Sequence, residues 1–340
     1  MDFNSYLYTT GPLRNDALYD GTVATNISRV DVRRATMRLQ SEIYNMCCKT
    51  IMSKKVALFT AVLMMLVTLS GCLGLGRESG GELEMTERPS EDVKLEDYNV
   101  LYIGHSFGRR FAELLEDYSH TAGITNHTAY AQFSGGASGA PDALWADEAD
   151  SDRIKEFLDT GGIDVLIMIC CSVEFVETGL QSDEAIWNFT EYALDKNSDT
   201  RIGLSMPWKD YPGEYENASE HRNGTDQLYD SWVNLASNLS SDFPTADVFT
   251  FHHGAAAYEL REMFEAGELE EDIEQLTGSK PTSIFTDKKG HAGQITIDTG
   301  TLLWLHAVHG VEPMAMPEFT QWETDIRLVA KSLLDEQNQQ

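Results

Sequence analysis

Downstream of residue 97 the chain alternates short apolar runs with stretches whose apolar positions recur at helical spacing. "NVLYIG" (99–104) carries an unbroken run from Val100 to Ile103, as expected of a strand covered on both faces. It leads straight into Gly104-His105-Ser106-Phe107, and Phe107, Phe111, Leu114, Leu115 and Tyr118 then share one helical face, so a helix follows at once. The alternation continues with a weaker strand at "HTAYAQF" (127–133) and a helix within 151–160 on Ile154, Phe157 and Leu158. "IDVLIMICC" (163–171) is the strongest strand in the chain. A helix over 182–195 follows, with Ile186, Phe189, Tyr192 and Ala193 on one side and Ser182 as its N-cap. "RIGLSM" (201–206) predicts a fourth strand; Leu228, Trp232, Leu235 and Leu239 mark the next helix. "DVFTFHH" (247–253) predicts a fifth strand, a helix runs through Ala257–Ala266, and a last helix runs from about Ile295 to His309.

Alternating strands and helices give an α/β fold: a parallel sheet with helices on both faces, hence a three-layer α/β/α sandwich. Right-handed crossovers leave the flavodoxin-like strand order 2-1-3-4-5 as the natural arrangement for the five-stranded sheet. Ligands of such sheets bind beyond the carboxyl ends of the strands, and Ser106 lies just past the end of the first.

The amino-terminal part follows a different pattern. "MSKKVALFTAVLMMLVTLSGC" (52–72) has a start methionine, two lysines and an uncharged run from Val56 to Gly76, the pattern of a secretory signal. Leu69-Ser70-Gly71-Cys72 resembles a lipoprotein lipobox, in which Cys72 is lipidated; the alternative is an uncleaved single membrane anchor, since the run is long enough to span. Either places the rest of the chain on the extracellular face of the membrane. Residues 1–51 read as an over-extended start, with Met52 the truer one. Residues 73–96 read as an acidic, flexible linker, 97–333 as the folded domain and 334–340 as a polar tail.

Composition narrows the function classes. The 340 residues are 42% hydrophobic, enough for a real core, and carry a formal net charge of −30. The acidity lies downstream of Cys72, where 17 basic residues face 50 acidic ones. Such a surface repels phosphate backbones, which argues against a nucleic-acid partner. It resembles the surfaces of proteins from salt-adapted microbes and fits an archaeal source. Cys170 and Cys171 are the only cysteines of the expected domain and read as small apolar residues ending a buried strand. No disulfide framework, metal-ligand spacing or phosphate loop is visible, so no cofactor is expected. Sequons at Asn126, Asn188, Asn217, Asn223 and Asn238 are compatible with surface glycosylation.

Chemistry enters at two distant places. Ser106 opens a helix, where free N–H groups and the positive end of the helix dipole gather. A serine there is ordinarily a cap; with a base nearby it is a nucleophile. "SIFTDKKGHAGQ" (283–294) sets Asp287 four residues before His291 in a polar loop. An aspartate so placed can hold an imidazole in one tautomer and stabilise its charged form, although the same loop standing alone would be an ordinary turn.

Gly104-His105-Ser106-Phe107 after the first strand resembles the "GDS" or "GNSF" block of the SGNH (GDSL-type) hydrolases. "FTDKKGH" followed by "LLWLHAVHG" resembles their closing block, over a resemblance spanning roughly residues 97–312. It implies the same sandwich fold, with Ser106 as nucleophile, His291 as general base and Asp287 as its orienting partner. The family's Asp-x-x-His spacing is one residue longer here, with Gly290 inserted. The resemblance also implies oxyanion donors: the Ser106 amide and a glycine in "FSGGASGAPDALW" (133–145), for which Gly136 is the first candidate and Gly135 the second. The family's third-block asparagine is replaced by Val173 in "ICCSVEF", leaving Ser172 as the nearest hydroxyl. His105, Trp208, His252 and His253 lie at the same sheet edge and are expected around the pocket, with core packing the alternative for Trp208 and a structural role for at least one of His252 and His253; Glu174 is either a cleft acid or a solvated side chain. These features predict a surface-anchored esterase that cleaves O-acyl esters, on carbohydrate or otherwise, through an acyl-enzyme. The alternative, favoured by Val173, is a non-catalytic surface lipoprotein that keeps the fold and binds a glycan.

Overall fold

Five parallel strands form the centre of the domain in the order β2-β1-β3-β4-β5. The computed structural model describes residues 98–169 and 183–338. β1 is Asn99–Gly104, β2 Thr128–Phe133, β3 Val165–Ile169, β4 Arg201–Ser205 and β5 Val248–Phe251. The register sets Val100 between Ala129 of β2 and Val165 of β3, so the strands end level at their carboxyl edge.

Period-two alternation along β1 divides the core. Val100 and Tyr102 face one layer of helices: α1 (Ser106–Thr121), α7 (Ala255–Glu265), α8 (Gln294–His309) and α9 (Ile326–Gln337). Leu101 and Ile103 face the other: α2 (Pro141–Ala146), α3 (Glu148–Leu158), α4 (Glu184–Lys196) and α6 (Tyr229–Asp242). Two dry clusters thus flank the sheet, Phe111, Trp304 and Ile297 in the first and Phe189, Ile154 and Trp232 in the second. This is the α/β sandwich with a five-stranded parallel sheet that the periodicity predicts.

Several expectations change at the ends of elements. α4 starts at Glu184 with Asp183 at its N-cap; Ser182 lies outside the described residues. α8 is not the last helix. α9 follows, burying Ile326, Val329, Ala330 and Leu333, and it runs through the boundary expected between residues 333 and 334. The helix α5 (Ala218–Asp226) and a second, two-stranded parallel sheet of β6 (Gln275–Thr277) and β7 (Ser283–Phe285) were not foreseen. Cys72, Cys170, Cys171, Ser172, Val173 and Glu174 lie outside the described residues, as does the whole 1–97 segment. Among the described residues no helix is long and apolar enough to cross a membrane.

Candidate active site

The site is built on the junction of β1 with α1. Gly104 has φ +151°, and a Cβ there would stand 2.5 Å from Ile169 Cβ, so only glycine lets β3 close against the turn. His105, not Ser106, caps α1: it is extended, and its Nδ1 accepts from the Phe107 N–H at 3.3 Å. The cap function is therefore already filled, and Ser106 is the first helical residue with its hydroxyl left for another partner. His105 is buried against its own helix and is not part of the cleft lining, contrary to its expected place at the pocket.

Ser106 Oγ lies 2.9 Å from His291 Nε2, across 185 residues of sequence. His291 Nδ1 lies 2.6 Å from Asp287 Oδ2. Partial burial pushes the Asp287 carboxyl up, but hydrogen bonds from the His291 side chain and from the His291 and Gly290 N–H groups together hold it below the usual carboxylate range. Asp287 is thus an acceptor only, so the imidazole proton sits on Nδ1. Nε2 then has a free lone pair, and the Ser106 hydroxyl donates to it.

The loop that carries both groups is closed on itself. Thr286 N–H and Oγ1 both donate to the His291 carbonyl, at 2.6 and 3.1 Å, and Phe285 bridges to Ala292. Gly290 supplies the tight turn with φ +98°; its N–H donates to Asp287 Oδ1 at 3.0 Å. A Cβ on it would stand 2.6 Å from Pro212 Cδ. The extra residue between Asp287 and His291 is therefore used to turn the backbone, not to lengthen the reach. Trp208 Nε1 donates to the Gly290 carbonyl at 2.9 Å, and Tyr211 N–H donates to that of Lys289. Trp208 borders the cleft but is 1% exposed, so it braces this loop where an open pocket wall was expected. Phe107 packs against both rings, with centroids 4.8 Å from Trp208 and 5.2 Å from His291.

The cleft in front of these groups holds about 420 Å³ and is lined by Ser106, Asp287 and His291 together with Arg109, Arg110 and Lys280. The three cations were not anticipated. Arg109 and Arg110 lie three and four residues after Ser106, on its side of the helix, and that spacing was the available signal. Gly136 opens a short 3-10 turn (Gly136–Gly139) after β2 with φ +56°, and the place its Cβ would take is 3.8 Å from Lys289 Nζ. Gly135 is the extended residue before it. The turn after β2 thus adjoins the loop of Asp287 and His291. Ser172 lies outside the described residues.

His252 and His253 are not at the cleft. His253 is completely buried; its Nε2 donates to the Phe107 carbonyl at 3.1 Å and its Nδ1 accepts from Ser205 Oγ at 2.8 Å. Burial drives its pKa down to about 3, so it stays neutral. It supports the first turn of α1 from within the core. His252 faces a separate small cavity of about 50 Å³ with Asp226, Tyr229 and Tyr258, and burial likewise lowers it to about 3. Among the described residues no three His, Cys, Asp or Glu side chains gather as a metal site requires.

The arrangement can therefore take a proton from a serine hydroxyl, hold the resulting imidazolium against a carboxylate, and admit a small ester from solvent.

No family model matches this chain, and no curated protein matches it. Among solved structures, a DUF4886 family protein from Bacteroides uniformis ATCC 8492 aligns with a TM-score of 0.51 at 14% identity, over 72% of this chain and 96% of that one. A candidate SGNH hydrolase from Slackia heliotrinireducens aligns at 0.40 and 12% identity, over 62% and 98% of the two chains. A candidate GDSL-like lipase from Parabacteroides merdae ATCC 43184 aligns at 0.38 and 13%, over 63% and 97%. At such identities likeness extends to fold alone, and the first of these shows that the described domain shares its α/β architecture with the DUF4886 protein.

Proposed function

We propose that this protein is a serine esterase that hydrolyses O-acyl esters, with acylated carbohydrate as its substrate, held at the outer face of the cell membrane through Cys72. The observation that carries the reading is the unbroken chain from Asp287 through His291 to Ser106, with bonds of 2.6 and 2.9 Å, opening onto a cleft. As Ser106 Oγ bonds to the ester carbonyl carbon, its proton passes to His291 Nε2. The carbonyl oxygen becomes an oxyanion beside the Ser106 amide and the positive end of α1. The Gly136 amide is its other donor among the described residues; Ser172, the nearest hydroxyl in sequence to the position of the family's asparagine, is the candidate for a third. Collapse breaks the bond to the alcohol, which leaves with the proton from His291. Water, deprotonated by the same nitrogen, then cleaves the acyl-enzyme to the free acid and restores Ser106.

The test uses the full-length chain in detergent, at low and at high salt. A fluorophosphonate probe should label Ser106 and p-nitrophenyl acetate should be hydrolysed; Ser106→Ala should lose both with its circular dichroism intact. Val173 favours a second reading, a glycan-binding protein without turnover. An unlabelled, folded wild type that binds acetylated oligosaccharide would establish that reading and end the first. For the anchor, Cys72→Ser should abolish lipid attachment seen by mass spectrometry of the membrane-extracted protein. An unmodified wild-type cysteine would remove the lipid from the proposal.

A further inference from the structure

We infer that the cleft selects esters carrying an acidic group next to the acyl linkage, a deepening that rests on the esterase reading. With a net charge of −30, any cationic surface on this chain is an exception. Of the 17 basic residues downstream of Cys72, five belong to the two segments that enclose the nucleophile: Arg109 and Arg110 in α1, Lys280 just before β7, and Lys288 and Lys289 inside the Asp287–His291 loop. Arg109, Arg110 and Lys280 line the cleft itself.

The carboxylates nearby do not cancel them. Arg109 and Arg110 share the single carboxylate of Glu113, at 2.6 and 2.7 Å, which leaves one positive charge over. Lys289 is matched by Asp210 at 3.6 Å. Lys280 and Lys288 form no ion pair among the described residues. Asp287 faces an uncharged His291 and adds a third carboxylate, so the five cations exceed the nearby carboxylates by two. The mouth is therefore positive on a negative protein, and the cleft of about 420 Å³ has room for more than an acetyl group. Guanidinium pairs suit flat two-oxygen acids, so a carboxylate such as that of a uronic acid is the preferred chemistry, with a sulfate ester the other source of the same charge. The acyl carbonyl then meets Ser106 while the acid on the alcohol side meets the arginines and Lys280.

The experiment compares p-nitrophenyl acetate with its ring-carboxylated analogue, which share the acyl group, and the corresponding non-hydrolysable acetamides as calorimetric ligands for full-length Ser106→Ala. The carboxylated ester should be favoured about tenfold or more in kcat/KM, mainly through KM, and the preference should shrink as salt rises from about 0.1 to 1 M. Arg109→Gln, Arg110→Gln and Lys280→Gln should each lower the preference about two- to fivefold, with Lys280→Arg retaining it. Acetylated polygalacturonate should be deacetylated faster than an acetylated neutral mannan; an equal gain with acetylated, sulfated mannan assigns the recognition to charge in general. Fluorophosphonate labelling of Ser106 keeps the two readings apart. A labelled, active enzyme that treats both esters alike, or whose preference survives loss of all three cations, overturns this inference and leaves the esterase. Selective calorimetric binding of the carboxylated acetamide by Ser106→Ala, when the folded wild type neither labels nor turns over, overturns the esterase reading and leaves an acid-recognising cleft.

Discussion

Two serine–histidine pairs of nearly equal length meet the first turn of α1. Ser106 lies 2.9 Å from His291, and Ser205 lies 2.8 Å from His253. Distance does not separate them; surroundings do. The His291 side chain is 35% exposed at a cleft, with the Asp287 carboxylate behind it fixing the proton on Nδ1. His253 is sealed among Phe111, Trp208 and Trp304, and what stands behind it is the Phe107 carbonyl, which fixes the proton on Nε2 instead. An imidazolium formed at His291 would be met by a negative charge. One formed at His253 would be buried without a counter-ion, which is why burial holds it at about 3. The same pair of side chains opens onto a cleft beside a carboxylate in one place and is a sealed structural pin in the other.

The largest effect expected from this contrast is in turnover. Ser106→Ala should lower kcat by about 10⁴-fold or more. Ser205→Ala should leave the labelling of Ser106 in place and instead cost about 1–3 kcal/mol of stability, because His253 Nδ1 loses its donor in a dry site. Comparable losses of activity in both variants would erase the distinction. Next comes Asp287→Asn, which removes the charge and permits the wrong tautomer of His291; a drop of about 10³–10⁴ in kcat is expected, with little change in Tm. A loss of less than about tenfold would show that the loop orients His291 without the carboxylate.

The smallest effect is on acid stability. His253 and His252 are lowered to about 3, His221 to about 4, and His127 is also lowered, in each case first by burial, from an ordinary value of 6.5. Between those values the unfolded chain binds protons that the folded chain refuses. Stability is therefore complete above about pH 6.5 and falls as pH drops toward the folded values, each fully engaged histidine adding a slope of about 1.4 kcal/mol per pH unit. Asp287, whose folded pKa is lowered, adds a loss of the same sign in more acid solution. Urea unfolding at a series of pH values should show His253→Gln flattening the slope by about one proton while destabilising the protein at pH 8. An unchanged slope would mean that His253 is not the neutral pin described.

The sheet was readable because its strands are dry on both faces: Val100 to Ile103 and Val165 to Ile169 could hardly be anything else. Ser106 alone reads as a cap and the Asp287–His291 segment alone as a turn; the resemblance of both blocks to one family set them in one site, and the fold does bring the three side chains together. The histidine pair was misplaced because its position was read and its alternation was not. Neighbouring residues at a strand end point apart, so His252 and His253 could not both enter one cleft. β6 and β7, three residues each, are too short to carry a period. α5 has no apolar stripe, but its N-terminal signal was present: Asn217 Oδ1 accepts from the Glu220 N–H, and the Glu220 carboxylate accepts from that of Glu216. α9 was lost to the polar character of its outer face, although Ile326, Val329, Ala330 and Leu333 keep helical spacing.

The closed loop from Thr286 to His291 has a kinetic consequence. Its internal bonds join residues no more than five apart, so the Asp287–His291 pair can assemble locally and early in folding. The bond to Ser106 spans 185 residues and waits until α1 docks against α8 and β1 has found its place between β2 and β3. Reactivity of Ser106 toward a covalent probe is then gained only with the last long-range step. During refolding it should lag the recovery of helical circular dichroism, marking the arrival of the native chain rather than of its secondary structure.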